Sequence, residues 1–417
     1  MGLNIAIIGG GIAGNTLAYS LHRQHQITLF EANDYIGGHT HTHQVTIGSQ
    51  THAVDTGFIV FNDKTYPEFE RILRETGVAW RDSEMSFSVR NEDTGLEYNG
   101  TSLNSLFAQR RNLLSPAFYR MVRDILRFNK ECLSLLAPGA EIPLGDYLQQ
   151  QSYSKQFIRD YIIPMGAAIW STDADQMLQF PARFFVRFFH HHGMLTIDQR
   201  PQWRTIVGGS AAYLQKVTAG YRDNIRLNAS VIAVKRHAQG VTLTTQDGAS
   251  STFDYVFFAC HSDEALKILG AEATAAETEI LGAIPYQDNT VYLHTDRTLM
   301  PKRQLAWAAW NYHVTAQPSD KVQVTYNMNI LQGIRSAEPL LVTLNYTDAI
   351  DPAKIIKKLS YRHPLYTSAG ANAQTRHADI SGHHRTGYAG AYWRNGFHED
   401  GVVSALAAIS HFNAAML

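Results

Sequence analysis

The chain has only two cysteines in 417 residues, Cys132 and Cys260, and neither sits in a CxxC pair. This excludes a disulfide framework or a thiolate metal centre as the organising feature, and it fits a reducing compartment. No apolar run approaches the roughly 20 residues of a membrane span. The opening stretch MGLNIAIIGGGIAG lacks a basic leader, so it reads as a buried first strand rather than a signal peptide. Net charge is also scarce: 36 Lys and Arg against 37 Asp and Glu give −1, which leaves no electrostatic footprint for a nucleic-acid partner. HExxH, low-complexity and heptad segments are absent. These absences lead us to expect a cytoplasmic protein, at most peripheral to the inner membrane. They say nothing of its oligomeric state.

What is present is an ordered globular composition, 45% hydrophobic and 18% charged. The length suits two closely packed domains able to enclose a large ligand.

The first thirty residues carry the strongest pattern. An apolar strand (Ile5 to Ile8) leads through glycines into an amphipathic helix (Ile12, Leu17, Leu21), then into a second strand that ends at Glu31. Gly9, Gly11 and Gly14 satisfy GxGxxG within this βαβ unit. The spacing allows a tight turn, close approach of backbone to a pyrophosphate, and close packing of helix on strand. Phosphates would lie at the helix N-terminus, and Glu31 stands where an acid binds a ribose diol. The acidic "EAND" that follows disfavours a 2′-phosphate and so NADP.

Beyond Glu31 the chain reads ANDYIGGHTHTH. The glycine motif, the acidic strand end and the pair Gly37 and Gly38 resemble the flavoprotein superfamily of amine oxidases, protoporphyrinogen oxidases and phytoene desaturases. The resemblance implies an α/β fold: a Rossmann-like FAD-binding domain with a discontinuous substrate domain built on a mixed or antiparallel sheet plus helices. Residues 1–75, 204–283 and 384–417 are assigned to the FAD-binding domain, and 76–203 and 284–383 to the substrate domain. The family often has arginine after the glycine pair; this chain has His39, which makes a cation over the pyrophosphate conditional on pH. His39, His41 and His43 alternate, so they are expected on one strand face about 7 Å apart. With no further ligand motif they read as polar groups near the cofactor, and no metal is expected. Covalent flavin attachment through His39 is a further reading that nothing in the spacing demands.

Further along, AVDTGFIVFNDKTYPEF (53 to 69) resembles the segment that lines the flavin, with Asp55, Thr56 and Gly57 in a tight apolar setting, although Asp55 reads equally well as a turn residue. SEMSFSVRNEDTGLEYNG suggests a hairpin and residues 103 to 170 turn helical; the arginines of RRNLLSPAFYRMVRDILRFNKECLSLL read as a solvated face. In FPARFFVRFFHHHGML, Phe184, Phe185, Phe188 and Phe189 form one apolar band beside Arg183 and Arg187. It reads as core, or else as the wall of a channel for a long apolar substrate or a surface touching lipid head groups. By the resemblance, the strand at Val231 lies at the adenine end of FAD, and YVFFAC is a parallel strand rejoining the cofactor domain.

The last segment, GYAGAYWRNGFHEDGVVSALAAI, resembles the loop that closes the FAD site. Asp400 is expected to cap the following helix, with the free N–H groups of Gly401 and Val402 facing the pyrimidine side of the flavin. No cysteine is present here for a thioether link, so FAD is expected to be noncovalent. No catalytic residue stands out. Trp393 is expected near the ring; His398 and Glu399 read as surface-loop charges that could act as acid or base; Lys302 is the one substrate-domain lysine an amine oxidase would offer.

The nearest likeness within the superfamily is a bacterial subgroup of FAD proteins that accompanies cyclopropane-fatty-acid-type methyltransferases. It implies an apolar or lipid acyl substrate, with hydride abstraction that desaturates a methyl-branched chain. Amine oxidation, redox-neutral isomerisation and non-catalytic flavin binding stand beside it, because one fold hosts all four.

Overall fold

The computed structural model describes residues 2–416, apart from 138, 140, 197–199, 317–320 and 347. The buried run Ile5 to Ile8 forms the centre of a five-stranded sheet. Its order is Ile225–Arg226, Gln26–Phe30, Asn4–Ile8, Tyr255–Phe258, Thr386–Tyr388, and every neighbouring pair is parallel. A parallel strand is buried on both faces, which explains its unbroken apolar sequence. Ile5 and Ile7 point to the face covered by the opening helix (Ile12–Leu21) and the terminal helix (His398–Met416). Ala6 and Ile8 point to the other face, where they meet Val231, Ile280, Tyr388 and Trp393. The YVFFAC strand thus takes its expected place, in register with the first strand from Ile5↔Tyr255 to Ile8↔Phe258.

A second sheet has seven strands in the order Ile355–Pro364, Tyr286–His294, Leu341–Leu344, Val324–Asn327, Trp310–Val314, Phe87–Asn91, Leu96–Asn99. It is antiparallel except where Trp310–Val314 runs parallel to Phe87–Asn91, so it is a mixed sheet. Helices from the 103–191 stretch pack on it and share its core, with Phe118, Phe128, Phe185 and Phe189 against Val89, Val291 and Val324. The helix Pro116–Glu131 starts where proline costs no hydrogen bond, and Ser115 caps it by accepting from the Phe118 N–H at 3.3 Å. The phenylalanine band lies on Ala182–His191: Phe185, Phe188 and Phe189 are buried core, and Phe184 is half-buried. Among the described residues no helix is long and apolar enough to cross a membrane.

Candidate cofactor site and adjoining cavity

The opening turn is shaped by its glycines. Gly9 has φ +106°, a conformation that a side chain would strain, and a Cβ at Gly14 would collide with the Gly9 carbonyl oxygen. Gly11 faces open space, with no atom within 4 Å of a built Cβ. The Gly37 N–H donates to the Gly10 carbonyl at 2.8 Å, and Gly38 lies against Gly11, so the two glycine turns flank one opening.

Glu31 is buried beside it. One carboxylate oxygen accepts from the Gly10 N–H at 2.7 Å, and the other accepts from the backbone and side-chain N–H groups of Asn33 at 2.9 and 2.8 Å. Oε2, which accepts only the Gly10 N–H, keeps a lone pair for a hydroxyl. The Ala229 N–H donates to the Glu31 carbonyl at 2.9 Å, which brings the strand beginning at Val231 alongside.

The three alternating histidines do not share a face. The strand begins at Thr42, so the period of two does not extend back to His39 and His41. His41 stacks on Tyr35 at 4.0 Å and lies 4.1 Å from His43, whose Nδ1 meets Lys357 Nζ at 3.3 Å. His39 turns elsewhere, with ring centroids 5.0 Å from Tyr361, 5.4 Å from His363 and 6.4 Å from His261. Burial, then the neighbouring imidazoles, pushes His39 down to about 4 and His363 to about 3; burial takes His261 to about 4. Among the described residues no group of three His, Cys, Asp or Glu could hold a metal ion.

Asp55 is far more than a turn residue. Its buried carboxylate accepts from Thr42 Oγ1 at 2.5 Å, Ser210 N–H at 2.9 Å, Ser210 Oγ at 2.8 Å and Gln332 Nε2 at 2.8 Å. These bonds tie the hairpin to the helix Ala211–Val217 and to the other sheet's layer. Burial nevertheless lifts it to about 6.

The C-terminal loop differs from expectation. The terminal helix begins at His398, and Asp400 sits within its first turn, reaching back to accept from the Phe397 and Asn395 N–H groups at 2.9 and 3.2 Å. The Gly401 N–H donates to the Phe397 carbonyl at 3.2 Å, so it is not free. A helix starting here leaves the N–H groups of His398, Glu399 and Asp400 without intrahelical partners instead. Gly401 serves packing: a Cβ would come within 2.6 Å of Ile12 Cγ2 on the opening helix. Val402 is fully buried in a cluster with Phe61, Phe69 and Tyr213.

His398 and Glu399 are not surface charges; both are buried. His398 stacks on Phe58 at 3.7 Å, and its Nε2 meets the Tyr213 hydroxyl at 2.9 Å, which meets Thr40 Oγ1 at 2.9 Å. Burial holds it well below its ordinary pKa, hence neutral. Glu399 accepts from the Glu68 and Phe69 N–H groups at 3.0 and 2.8 Å and so caps the helix Pro67–Glu75, while burial raises it to about 7. Trp393 is stacked on His377 at 4.2 Å, on the sheet face opposite the opening helix. Lys302 is exposed, with its N–H donating to Glu97 Oε1 at 2.8 Å. Glu97 is on the strand Leu96–Asn99, at the opposite edge of the seven-stranded sheet from the strand that carries Tyr361 and His363. The structure therefore separates Lys302 from the histidines.

Several residues enter that sequence reasoning did not single out. Among the described residues, His39 Nε2, His261 Nδ1, Ser262 Oγ, Tyr366 Oη and Tyr392 Oη are buried polar atoms without a hydrogen-bond partner. His261 and Ser262 follow the strand end that packs on Gly9, and Tyr366 Oη abuts Gly396 so closely that no side chain fits there. An unsatisfied buried polar atom costs about 1–3 kcal/mol. Such a set, together with the opening at Gly11, fits a large polar ligand of the FAD type. The signal in the sequence was the pair of stretches CHS and YRHPLY, each with a histidine beside a strand end.

Tyr366 also borders a cavity of about 490 Å³. Trp170, Phe180, Leu365 and Tyr366 form its apolar wall, and Asp175, Gln176, Gln179 and Ser368 bring polar groups. Phe184 stacks on Tyr366 at 5.4 Å behind that wall.

Comparison with known proteins agrees with this geometry. Residues 12–360 match the family model described as flavin containing amine oxidoreductase. The L-amino-acid oxidase of Vipera ammodytes ammodytes is 24% identical over 291 residues, covering 64% of this chain and 55% of the relative. The chain spans about half the length of the curated relatives it matches. Among solved structures, cyclohexylamine oxidase from Brevibacterium oxydans IH-35A has a TM-score of 0.72 at 15% identity, covering 100% of both chains. A CLA-producing fatty acid isomerase from P. acnes has a TM-score of 0.71 at 16% identity, covering 98% of each. These likenesses carry the fold. With the family model spanning most of its length, the chain belongs to the flavin containing amine oxidoreductase family, and FAD is its cofactor.

Proposed function

We propose that the protein is an FAD-dependent oxidoreductase that takes hydride from an apolar substrate, and that this substrate is a lipid acyl chain, desaturated beside a methyl branch. The observation that carries the reading is the mixed lining of the cavity: the aromatic side chains Trp170, Phe180 and Tyr366 together with the exposed polar side chains Asp175, Gln176 and Gln179. An amphiphile matches this arrangement, with its chain along the aromatic wall and its polar end at the exposed groups. A solved neighbour of the same fold is a fatty acid isomerase.

In this reading FAD is held noncovalently by the turns at Gly9–Gly14 and Gly37–Gly38, by Glu31 on the ribose, by the backbone at Val231, and by the first turn of the terminal helix. Bound FAD supplies a two-electron hydride acceptor. The protein's own part is orientation and exclusion of water: Tyr366 and Phe184 fix the chain, and the unpaired N–H groups at His398 and Glu399 favour negative charge at the helix start. His398, kept neutral, adds no competing cation there.

Amine oxidation is the second reading. A curated relative bears the name of an amino-acid oxidase and a fold neighbour that of an amine oxidase, and Asp175 beside the cavity could hold an ammonium group. The deciding measurement is an anaerobic visible spectrum of the FAD-loaded protein before and after adding phospholipid with methyl-branched chains. Bleached flavin bands support acyl oxidation. Bands that persist with lipid but bleach with amines replace it with the second reading.

A further inference from the structure

The arginine-rich stretch read from sequence as a solvated face exposes apolar side chains beside its arginines. Leu114 is 88% exposed and Leu103 78%, and among the described residues six of the twelve exposed large apolar side chains fall between Leu103 and Leu133. On the helix Pro116–Glu131, Phe118, Met121 and Phe128 are buried in the core. Tyr119 and Leu126 project outward two turns apart, and Leu133 continues the row in the short turn that follows. Arg123 and Lys130 keep the same two-turn spacing between them, and both are exposed, as is Arg120.

The unpaired charge on this face has one sign. Asp124 is turned inward, accepting from the Ser154 N–H at 3.0 Å, and Glu131 is engaged by Arg127 at 3.2 Å and the Tyr153 hydroxyl at 3.0 Å. Arg120, Arg123 and Lys130 have no ion-pair partner among the described residues. Leucine and tyrosine tips interleaved with unpaired cations match a plane of anionic head groups over acyl chains: apolar tips sink below the phosphates and the cations stay level with them. Nucleic acid would use the cations and leave the leucines in water.

We propose that this face, from Leu103 to Leu133, docks the protein on an anionic phospholipid bilayer. None of the docking residues lines the cavity, and the test is read without turnover, so its failure and that of the acyl-chain reading are distinguishable. FAD-loaded protein is sedimented with vesicles of phosphatidylglycerol and phosphatidylcholine, and separately with phosphatidylcholine alone. Binding is expected to the mixed vesicles only, and to weaken at high salt. Arg120→Ala and Arg123→Ala should each weaken it about fivefold. The double variant Leu114→Ser, Leu126→Ser should abolish it while leaving the flavin spectrum and Tm unchanged, as expected of exposed positions. Absence of binding to mixed vesicles overturns the proposal, as does binding that the variants leave intact. So does vesicle-independent self-association that the leucine variant abolishes, because a second copy would then cover the face.

Discussion

Asp55 and Gln332 bond each other twice, the Asp55 N–H donating to Gln332 Oε1 at 2.9 Å and Gln332 Nε2 donating to Asp55 Oδ2 at 2.8 Å. This reciprocal pair fastens the hairpin that follows the histidines to the layer of the seven-stranded sheet, and its carboxylate is buried. Because burial raises Asp55 from 3.8 to about 6, the folded protein holds that proton more tightly than the unfolded chain. The associated stability is fully present below about pH 4 and is lost as pH rises through 6, at most about 3 kcal/mol. Glu399 and Asp400, raised to about 7 and about 6, act with the same sign. The buried histidines His39, His261 and His363 act with the opposite sign, so the test is a difference: the Tm of Asp55→Asn minus that of the parent protein should rise between pH 5 and pH 7.5. A difference that stays flat across this range would contradict the assignment.

Glu399→Ala should destabilise the protein by about 1–2 kcal/mol, the usual worth of a helix cap. The variant leaves the Glu68 and Phe69 N–H groups without their acceptor. Urea unfolding measures it; an unchanged midpoint would mean the cap contributes nothing.

Gly401→Ala drives a methyl group into Ile12 and should displace the terminal helix from the opening one. The expected result is a lower ratio of FAD to protein, restored in part by adding Ile12→Ala. If the single variant keeps full FAD content, the close contact is not required.

His39 stands where the family often has arginine. It faces His261, His363 and Tyr361, with His41 and His398 also within electrostatic reach, and it carries no charge at neutral pH. A bound pyrophosphate would raise its pKa, so FAD affinity should increase as pH falls from 8 towards 5. Fluorescence titration with FAD tests this, and His39→Arg should bind more tightly with a flatter pH profile. Equal slopes in the two proteins would remove His39 from the phosphate site.

Phe184→Asp should reduce turnover of an acyl substrate more than it reduces FAD content, because Phe184 backs the cavity wall at Tyr366 rather than the glycine turns. Unchanged lipid turnover would count against the channel.

The glycine motif, Glu31 and the YVFFAC strand were legible because their requirements are local: a backbone conformation, a chain reversal, an unbroken apolar run. The terminal helix was misjudged by one turn. Gly401 looks like the end of a loop, but its packing against Ile12 is what demands glycine, and that contact spans almost the whole chain. Glu399 illustrates the same limit, since the helix it caps begins at Pro67. His261 and His363 meet His39 only through tertiary folding, and a period-two reading of His39, His41 and His43 could not foresee that the strand starts at Thr42.

Tyr366 belongs to two compartments at once, with its ring in the cavity wall and its hydroxyl against Gly396 in the loop before the terminal helix. An engineer who trims this side chain to admit bulkier molecules would also unseat the loop. On the proposed function, selectivity and coenzyme retention cannot be tuned independently at this position, and redesign of the cavity is better begun at Trp170 or Phe180.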